Sequence, residues 1–133
     1  MSQWVHATSK VMENVDQNIM QRAFERMHLG IDRSVKTIQN TWGSDTVDFG
    51  LRDKEDNNNL LDIGMKVQNG KAEVRGDFYF SRWKNQDEFV DEFSRNYQRC
   101  NIEDTALING YEIETEKVNE DGSIELCLMS NAF

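Results

Sequence analysis

The sequence predicts an α+β fold, a two-layer sandwich in which two helices cover one face of a mostly antiparallel sheet, as a variant of the ferredoxin-like arrangement. Residues 14–30 and 85–100 space their apolar side chains as amphipathic helices do. The intervening and following segments alternate apolar and polar residues, which is typical of strands with one buried face. The Asn69-Gly70 pair lies between two such segments and predicts a tight hairpin. Two helical stripes and one apolar sheet face form a single core when they pack together.

The N-terminal part of the chain predicts one strand and one helix. Residues 4–8, WVHAT, fit a short strand, and helical spacing begins at Asn14. Asn14 with Gln17 resembles a capping box, and Gly30 predicts the end of the helix. One helical face collects Val15, Ile19, Met20, Ala23, Phe24 and Met27.

The middle of the chain predicts strands separated by turns. Residues 34–39 form a weak candidate, and residues 53–59, DKEDNNN, predict a turn because they are polar and lack periodicity. The expected inward-facing side chains on either side of that turn are Val47, Phe49 and Leu51, then Leu61, Ile63, Met65 and Val67. The strand that follows Gly70 has a buried set of Ala72, Val74, Gly76, Phe78 and Phe80, and an opposite set of Glu73, Arg75, Asp77, Tyr79 and Ser81.

The last third of the chain predicts a helix and a hairpin. Asn85 and Glu88 repeat the capping pattern, and acidic residues in the first turn suit the positive end of the helix dipole. The apolar face of this helix contains Phe89, Val90, Phe93, Tyr97 and Cys100. Residues 111–118 and 123–129 flank the turn NEDG and predict a terminal hairpin.

Length and charge limit the possible functions. A chain of 133 residues fits one domain, residues 1–133, with one core. Residues 101–133 carry eight acidic side chains and only Lys117 as a base, so this last quarter holds most of the net charge of −9. Because a negative field repels phosphate backbones, we expect no nucleic-acid partner.

Composition indicates an intracellular, cytoplasmic protein. No window approaches the roughly 20 apolar residues of a membrane span, and the N-terminus lacks a secretory pattern. Cys100 and Cys127 are far apart and are expected to be reduced, buried residues that act as small apolar side chains.

Several local patterns resemble the conserved hypothetical chloroplast reading-frame family, thirty-fifth in its series, which occurs in plastids and cyanobacteria as a domain of unknown function. They are Met1 with Ser2, Leu29-Gly30, Asp62-Ile63-Gly64, Asp77-Phe78-Tyr79, Tyr97 and the hairpin at 110–128. Phe78 and Tyr79 stand where the family is expected to have tryptophans, and residues 31–60 depart most, which implies a diverged copy of host or phage origin. The resemblance implies a cyanobacterial cytosol, plastid stroma or infected host cytosol, and it supplies no catalytic residues.

The stretch 74–84, VRGDFYFSRWK, is the candidate interaction site. Aromatic and arginine side chains are enriched at binding hot spots. The candidate residues are Arg75, Asp77, Tyr79, Arg82 and Trp83. The alternative for Trp83 is that it closes the end of the core. Arg75-Gly76 also matches the start of an RNA-recognition motif, but Asp77 stands where a stacking aromatic is expected.

Catalytic and metal-binding patterns are not evident in the sequence. His6 and His28 have no ligand spacing with each other or with a cysteine, and no glycine-rich phosphate loop is present. We therefore predict a non-enzymatic protein without cofactor or metal that binds another protein, and whose sheet edges allow self-association. The alternatives are a ligand-binding protein or enzyme with a pocket between helices and sheet, and a single-stranded RNA binder.

Overall fold

The computed structural model describes residues 14–40, 43–78, 81–121 and 123–130. The predicted strand at 4–8, Tyr79 and Phe80 lie outside the described residues. The elements in chain order are α1 (Gln17–Arg26), β1 (Leu29–Asp32), β2 (Thr37–Asn40), β3 (Gly43–Thr46), β4 (Phe49–Asp53), β5 (Asn59–Gln68), β6 (Lys71–Gly76), α2 (Gln86–Ile108), β7 (Tyr111–Val118) and β8 (Ile124–Ser130). The predicted α+β sandwich is confirmed.

Helix α1 has the predicted apolar face but different ends. Its N-cap is Asp16, whose carboxylate accepts from the backbone N–H groups of Asn18 and Ile19. The prediction of Asn14 as the cap was wrong, because Asn14 has a φ of 57° and lies in the preceding turn. The helix ends at Arg26, and Gly30 lies within β1. Sequence spacing did not predict β1, since the predicted helix ended at Gly30, inside this strand.

The main sheet has the strand order β1-β4-β5-β6, and every neighbouring pair in it is antiparallel. The predicted Asn-Gly turn joins β5 to β6 with Gln68 opposite Lys71. Asn69 and Gly70 have φ values of 53° and 77°, the conformation that such two-residue turns require. The strand after this turn ends at Gly76, earlier than predicted.

The core lies between the two helices and one face of the main sheet. The ring centroids of Phe24 in α1 and Phe93 in α2 lie 4.6 Å apart. The ring of Phe49 in β4 packs edge-on against Phe24, with 6.3 Å between the two centroids. Ile63, Met65 and Val74 complete the sheet side and have no exposed surface. The predicted inward residues Leu61 and Val67 are half-buried. Burial of this aromatic cluster is the main source of stability for the described fold.

Helix α2 begins as predicted, since Asn85 Oδ1 accepts from the backbone N–H of Glu88 at 2.9 Å. Its 23 residues extend about 35 Å, and the last of its apolar side chains that packs against the core cluster is Tyr97. Phe89, Phe93 and Cys100 are buried, and the Tyr97 hydroxyl accepts from the backbone N–H of Asp16 at 2.7 Å. In the part of the chain that the structure describes, no helix combines the length and apolar character of a membrane span.

The second face of the main sheet is covered by the segment that contains β2 and β3. A Cβ added to Gly50 would meet the side chain of Val35 at 2.9 Å, and one added to Gly64 would meet Val47 at 2.8 Å. Val47 therefore lies on the face opposite Ile63 and its core neighbours. Its predicted inward position beside Phe49 was wrong, because the alternation breaks before β4. The predicted strand at 34–39 exists as β2, displaced to Thr37–Asn40.

The terminal hairpin, β7 and β8 with their connecting turn, matches the prediction in both strands but forms a separate two-stranded sheet. It lies against α2 and shares no ladder with the four-stranded sheet. Every residue of these two strands is exposed or half-buried.

Candidate interaction surface

The four predicted interaction residues that the structure describes, Arg75, Asp77, Arg82 and Trp83, do not form one surface. Arg75 lies on the outer face of β6 and pairs with Asp45 of β3 at 2.9 Å and with Glu73 at 3.1 Å. Its guanidinium also donates to the backbone carbonyl of Thr46. Burial opposes the charge of Arg75, but the carboxylate of Glu73, together with Asp45, raises the pKa of its guanidinium. Arg75 thus fastens the β2–β3 cover to the main sheet.

Asp77 follows the end of β6 and lies beside Asp62 of β5. Its backbone N–H donates to the carbonyl of Asp62 at 2.8 Å. Partial burial raises the pKa of the Asp62 carboxyl, and the charge of Asp77 raises it further. The pair is therefore a place of carboxylate repulsion, and Tyr79 beyond it lies outside the described residues.

Arg82 and Trp83 lie at the end of the core on the helix side, away from Arg75. Trp83 is only 3% exposed and packs edge-on against Phe89 at 4.7 Å. Arg82 stacks on the Trp83 ring at 4.6 Å, donates to the carbonyl of Met27 at 2.7 Å and pairs with the buried Asp53 at 3.3 Å. Arg82 therefore provides a hydrogen-bond donor to a backbone carbonyl at the C-terminal end of α1. The Trp83 ring is buried at the end of the core and closes it.

Exposed apolar side chains concentrate instead on the terminal hairpin and the end of α2. The described chain has eight large hydrophobic residues that are exposed, and all but Leu60 lie between positions 102 and 129. They are Ile102, Leu107, Ile108, Tyr111, Val118, Leu128 and Met129. Scattered single residues of this type are ordinary on a protein surface, whereas a concentration on one element indicates an interaction site.

The register of the terminal hairpin defines two faces. The helix-side face carries Glu116, Val118, Ile124, Leu126 and Leu128, as shown by the pairs that these residues form across the strands and by their contacts with α2. The open face carries Glu112, Thr115, Lys117, Glu125, Cys127 and Met129, all exposed. Glu114 is an extra residue in β7, a bulge, and its carboxylate lies 3.8 Å from the Cys127 sulfur. The expectation that Cys127 is buried was wrong, whereas Cys100 is buried as predicted.

An ion-pair network holds the terminal hairpin on the helices. The Glu116 carboxylate accepts from Arg99 of α2 at 2.6 Å and from Arg26 of α1 at 2.7 Å. Arg99 also pairs with Glu103, which pairs with Arg22 of α1. Burial opposes the charge of Glu116, but the hydrogen bonds from Arg99 and Arg26 outweigh it and lower its pKa. Burial opposes the charge of Arg99 as well, but its hydrogen bonds to Glu116 and Glu103 raise the pKa of its guanidinium.

Two grooves flank this network. A cavity of about 140 Å³ between α2 and β8 is lined by Ile102, Ile124 and Leu126 together with Arg95, Gln98 and Arg99. A larger cavity of about 360 Å³ lies where the hairpin turn approaches α1, and it is lined partly by Arg26, Arg82 and Arg95. Arg26 and Arg82 already bond to carboxylates. The Ser123 hydroxyl makes the largest contribution to the lowered pKa of Asp121, and the charge of nearby Arg95 lowers that pKa further. The larger groove therefore has little uncompensated positive charge.

Metal ions in proteins are usually held by grouped histidine, cysteine, aspartate and glutamate side chains. Among residues 14–40, 43–78, 81–121 and 123–130, no three His, Cys, Asp or Glu side chains are grouped so that they could hold a metal ion.

A family model described as a protein of unknown function, DUF1257, matches residues 23–127. The chain belongs to the DUF1257 family. The match begins within α1 and ends at Cys127 in β8, so the DUF1257 domain includes the main sheet, α2 and nearly all of the terminal hairpin. Comparison with curated proteins and with solved structures gave no match.

Sequence reasoning missed the apolar end of α2 as a surface. The predicted apolar stripe ends at Cys100, although Ile102, Leu107 and Ile108 continue the apolar character. The available signal was these three apolar residues, but sequence spacing does not show whether they join the core. That depends on where the sheet lies along the helix.

Proposed function

We propose that this protein is a non-enzymatic interaction module that binds another protein through the terminal hairpin and the adjoining end of α2. The observation that supports the proposal best is the concentration of exposed apolar side chains there, from Ile102 to Met129. A two-stranded hairpin is marginal in water without a covering layer. Here α2 covers the helix-side face only in part and leaves Val118 and Leu128 exposed, so a partner would bury apolar area that folding leaves exposed.

The predicted interaction residues of the stretch 74–84 have a supporting role in this proposal. Arg75 and Asp77 lie at the far side of the main sheet, and Arg82 with Trp83 supports the junction of α1, α2 and the core. Intramolecular partners already occupy the guanidinium groups of both arginines. We propose that these residues act mainly by holding the domain, residues 1–133, in the shape that presents the terminal hairpin.

Site-directed photocrosslinking in the native cell tests the proposed function. A photoreactive residue at Met129, which is 44% exposed on the open face, should give a recurrent adduct with one polypeptide. The same residue at Gln21, exposed on α1, serves as the matched control and should give none. Absence of adducts at Met129, or the same adducts at both positions, would contradict the proposal.

The two alternatives find less support in the packing. A pocket between helices and sheet would have to lie where Phe24, Phe89 and Phe93 fill the space with no exposed surface. Single-stranded RNA binding would use the outer face of β6, where Arg75 is held by Asp45 and Glu73. Retention of labelled RNA at low salt, lost on Arg75→Ala, would favour that alternative over protein binding.

We also propose that the chain is a diverged copy of the plastid- or cyanobacterium-type family that its local patterns resemble, carried either by a host or by a phage. A reducing, cytoplasmic compartment is supported by the two cysteines, which are both free, with Cys127 exposed. Labelling of the native protein with a thiol reagent, without prior reduction, should modify Cys127. A protein already oxidised at Cys127 when isolated would argue for another compartment.

A further inference from the structure

The two strands of the terminal hairpin differ in how well their outer edges are protected. Strand β7 contains the bulge at Glu114 and four charged residues, and bulges and charges are the usual means of discouraging strand addition. Strand β8, with the sequence IELCLMS, has no extra residue and one charge, Glu125. Among the described strands, only β7 pairs with it. Its outer edge is therefore the less protected one.

We propose that the outer edge of β8 accepts an extended segment of a partner protein by β-strand addition, and that this segment alternates basic and apolar residues. This inference rests on the proposed function and specifies its partner. Strand addition supplies main-chain hydrogen bonds along the edge, and the side chains on alternate positions decide which segment binds. The two faces of the terminal hairpin define what those positions must be.

The helix-side face calls for apolar residues in the added strand. Leu126 and Leu128 on this face have one flank toward the outer edge, and Leu128 is 41% exposed. Ile102 of α2, 43% exposed, lines the groove beneath Leu126. Apolar side chains placed beside Leu126 and Leu128 would cover both and extend the contact with α2.

The open face calls for basic residues. Glu112, Glu114 and Glu125 are exposed there, and none forms an ion pair with a cation in the described part of the chain. Lys117 lies opposite Glu125 in the register and offsets one of these charges, while Glu120 and Asp121 add two more at the turn. Lysine or arginine beside Glu125 would therefore face a net negative surface.

The same charges disfavour a second copy of this chain as the occupant. Pairing β8 with β8 of another molecule would join two open faces, each with three carboxylates and a single lysine. Like charges across adjacent strands are destabilising, and the total charge of −9 adds long-range repulsion. A basic partner strand gains from both terms, so charge complementarity selects it.

Binding of synthetic peptides to the full chain tests the inference. The probe is an end-capped peptide of seven residues that alternates lysine and valine. The controls are a peptide of the same composition with its lysines in one block, and an alternating glutamate–valine peptide. We expect binding of the alternating lysine peptide alone, weakened by salt, with new amide protection in residues 124–130 and no change at the β1 and β6 edges of the main sheet.

Charge-reversal variants make the test specific. Glu125→Lys should lower the affinity for the alternating lysine peptide about tenfold, which is the effect of losing about 1.4 kcal/mol. The control Glu25→Lys makes the same change in net charge at an exposed position of α1 and should leave the affinity within about twofold, as expected for a screened distant charge. Amide exchange across 111–130 verifies that each variant retains the hairpin.

Each other outcome overturns the inference in an identifiable way. Equal binding of the block peptide would show charge attraction without strand addition. Protection of residues 124–130 that rises with protein concentration, without peptide, would identify a second copy as the occupant. Crosslinks from Met129 in the cell without peptide binding would preserve the proposed function and reject this mode of recognition. Absence of both the crosslinks from Met129 and the binding of the peptide would reject the proposed function together with this inference.

Discussion

The β5–β6 hairpin and the terminal hairpin begin from similar local chemistry and reach opposite environments. Both are antiparallel, and both have a turn rich in asparagine, aspartate or glycine. The β5–β6 pair is enclosed by the helices on one face and by the β2–β3 segment on the other. The terminal hairpin has α2 on one face and water on the other. Local sequence specifies a hairpin, whereas the layers around it determine whether the hairpin is core or surface.

The largest expected contrast comes from removing one side chain in each region. Phe24→Ala should lower the free energy of unfolding by about 3–5 kcal/mol, because the Phe24 ring contacts those of Phe49, Phe89 and Phe93. Leu128→Ala, at a side chain 41% exposed, should cost less than about 1 kcal/mol. Denaturant unfolding measures both. If Phe24→Ala cannot be purified, Phe24→Leu should still cost more than Leu128→Ala, and equal costs would remove the distinction.

Substitution of Gly64 tests whether the segment with β2 and β3 covers the outer face of the main sheet. Gly64→Ala should cost about 1–3 kcal/mol, because its Cβ would lie 2.8 Å from Val47 and 2.9 Å from the carbonyl oxygen of Phe49. Gly30→Ala is the matched control, since its Cβ would meet the flexible end of Lys54 at 3.3 Å and the side-chain oxygen of Asn58 at an ordinary contact distance of 3.9 Å. Thermal unfolding compares the two variants. Equal tolerance would mean that the β2–β3 segment does not press on this face.

The attachment of the terminal hairpin is tested at Glu116. Glu116→Gln should weaken the bonds from Arg99 and Arg26 and lower the stability of the terminal hairpin by about 1–2 kcal/mol. Hydrogen exchange should show faster opening of residues 111–130 with little change in β5 and β6. Glu125→Gln on the open face is the control and should change exchange little.

The pH dependence of Glu116 follows from the lowered pKa. A carboxylate with a pKa lower in the folded than in the unfolded chain stabilises the fold above its unfolded value, and that stability is lost as pH falls through the folded value. Acidification should therefore loosen the terminal hairpin in the wild type more than in Glu116→Gln. The same acid response in both proteins would contradict this assignment.

The smallest expected effect lies in the turn after β1. Asp32 accepts from the Ser34 hydroxyl and backbone, and from Arg52 at 2.8 Å, and these bonds lower its pKa to about 2. Ser34→Ala should raise that pKa, because it removes the largest contribution, and it should change stability little because Ser34 is exposed. A carboxyl titration followed by NMR measures it. A midpoint in wild type near the ordinary value would reject the assignment.

Periodicity predicted the parts of the fold that depend on local chemistry. Helical spacing identified the buried faces of both helices, and the Asn-Gly signal located the β5–β6 turn. Errors occurred where tertiary contacts override spacing. The helical pattern continued into β1, and Val47 took the face opposite to its parity because Gly64 provides space there. Neither change has a signal within a short window of sequence.

The candidate surface shows the same division. The sequence by itself determined the acidic character of the last third of the chain, the alternation of the terminal strands and the amphipathic pattern of α2, since these depend on residue type and order. Only the tertiary structure decided that Trp83 is buried, that intramolecular carboxylates pair with Arg75 and Arg82, and that the terminal hairpin forms its own sheet with an open face. The physical reason is that burial is a property of layers brought together from distant parts of the chain, whereas a local pattern specifies only which side of an element can be buried.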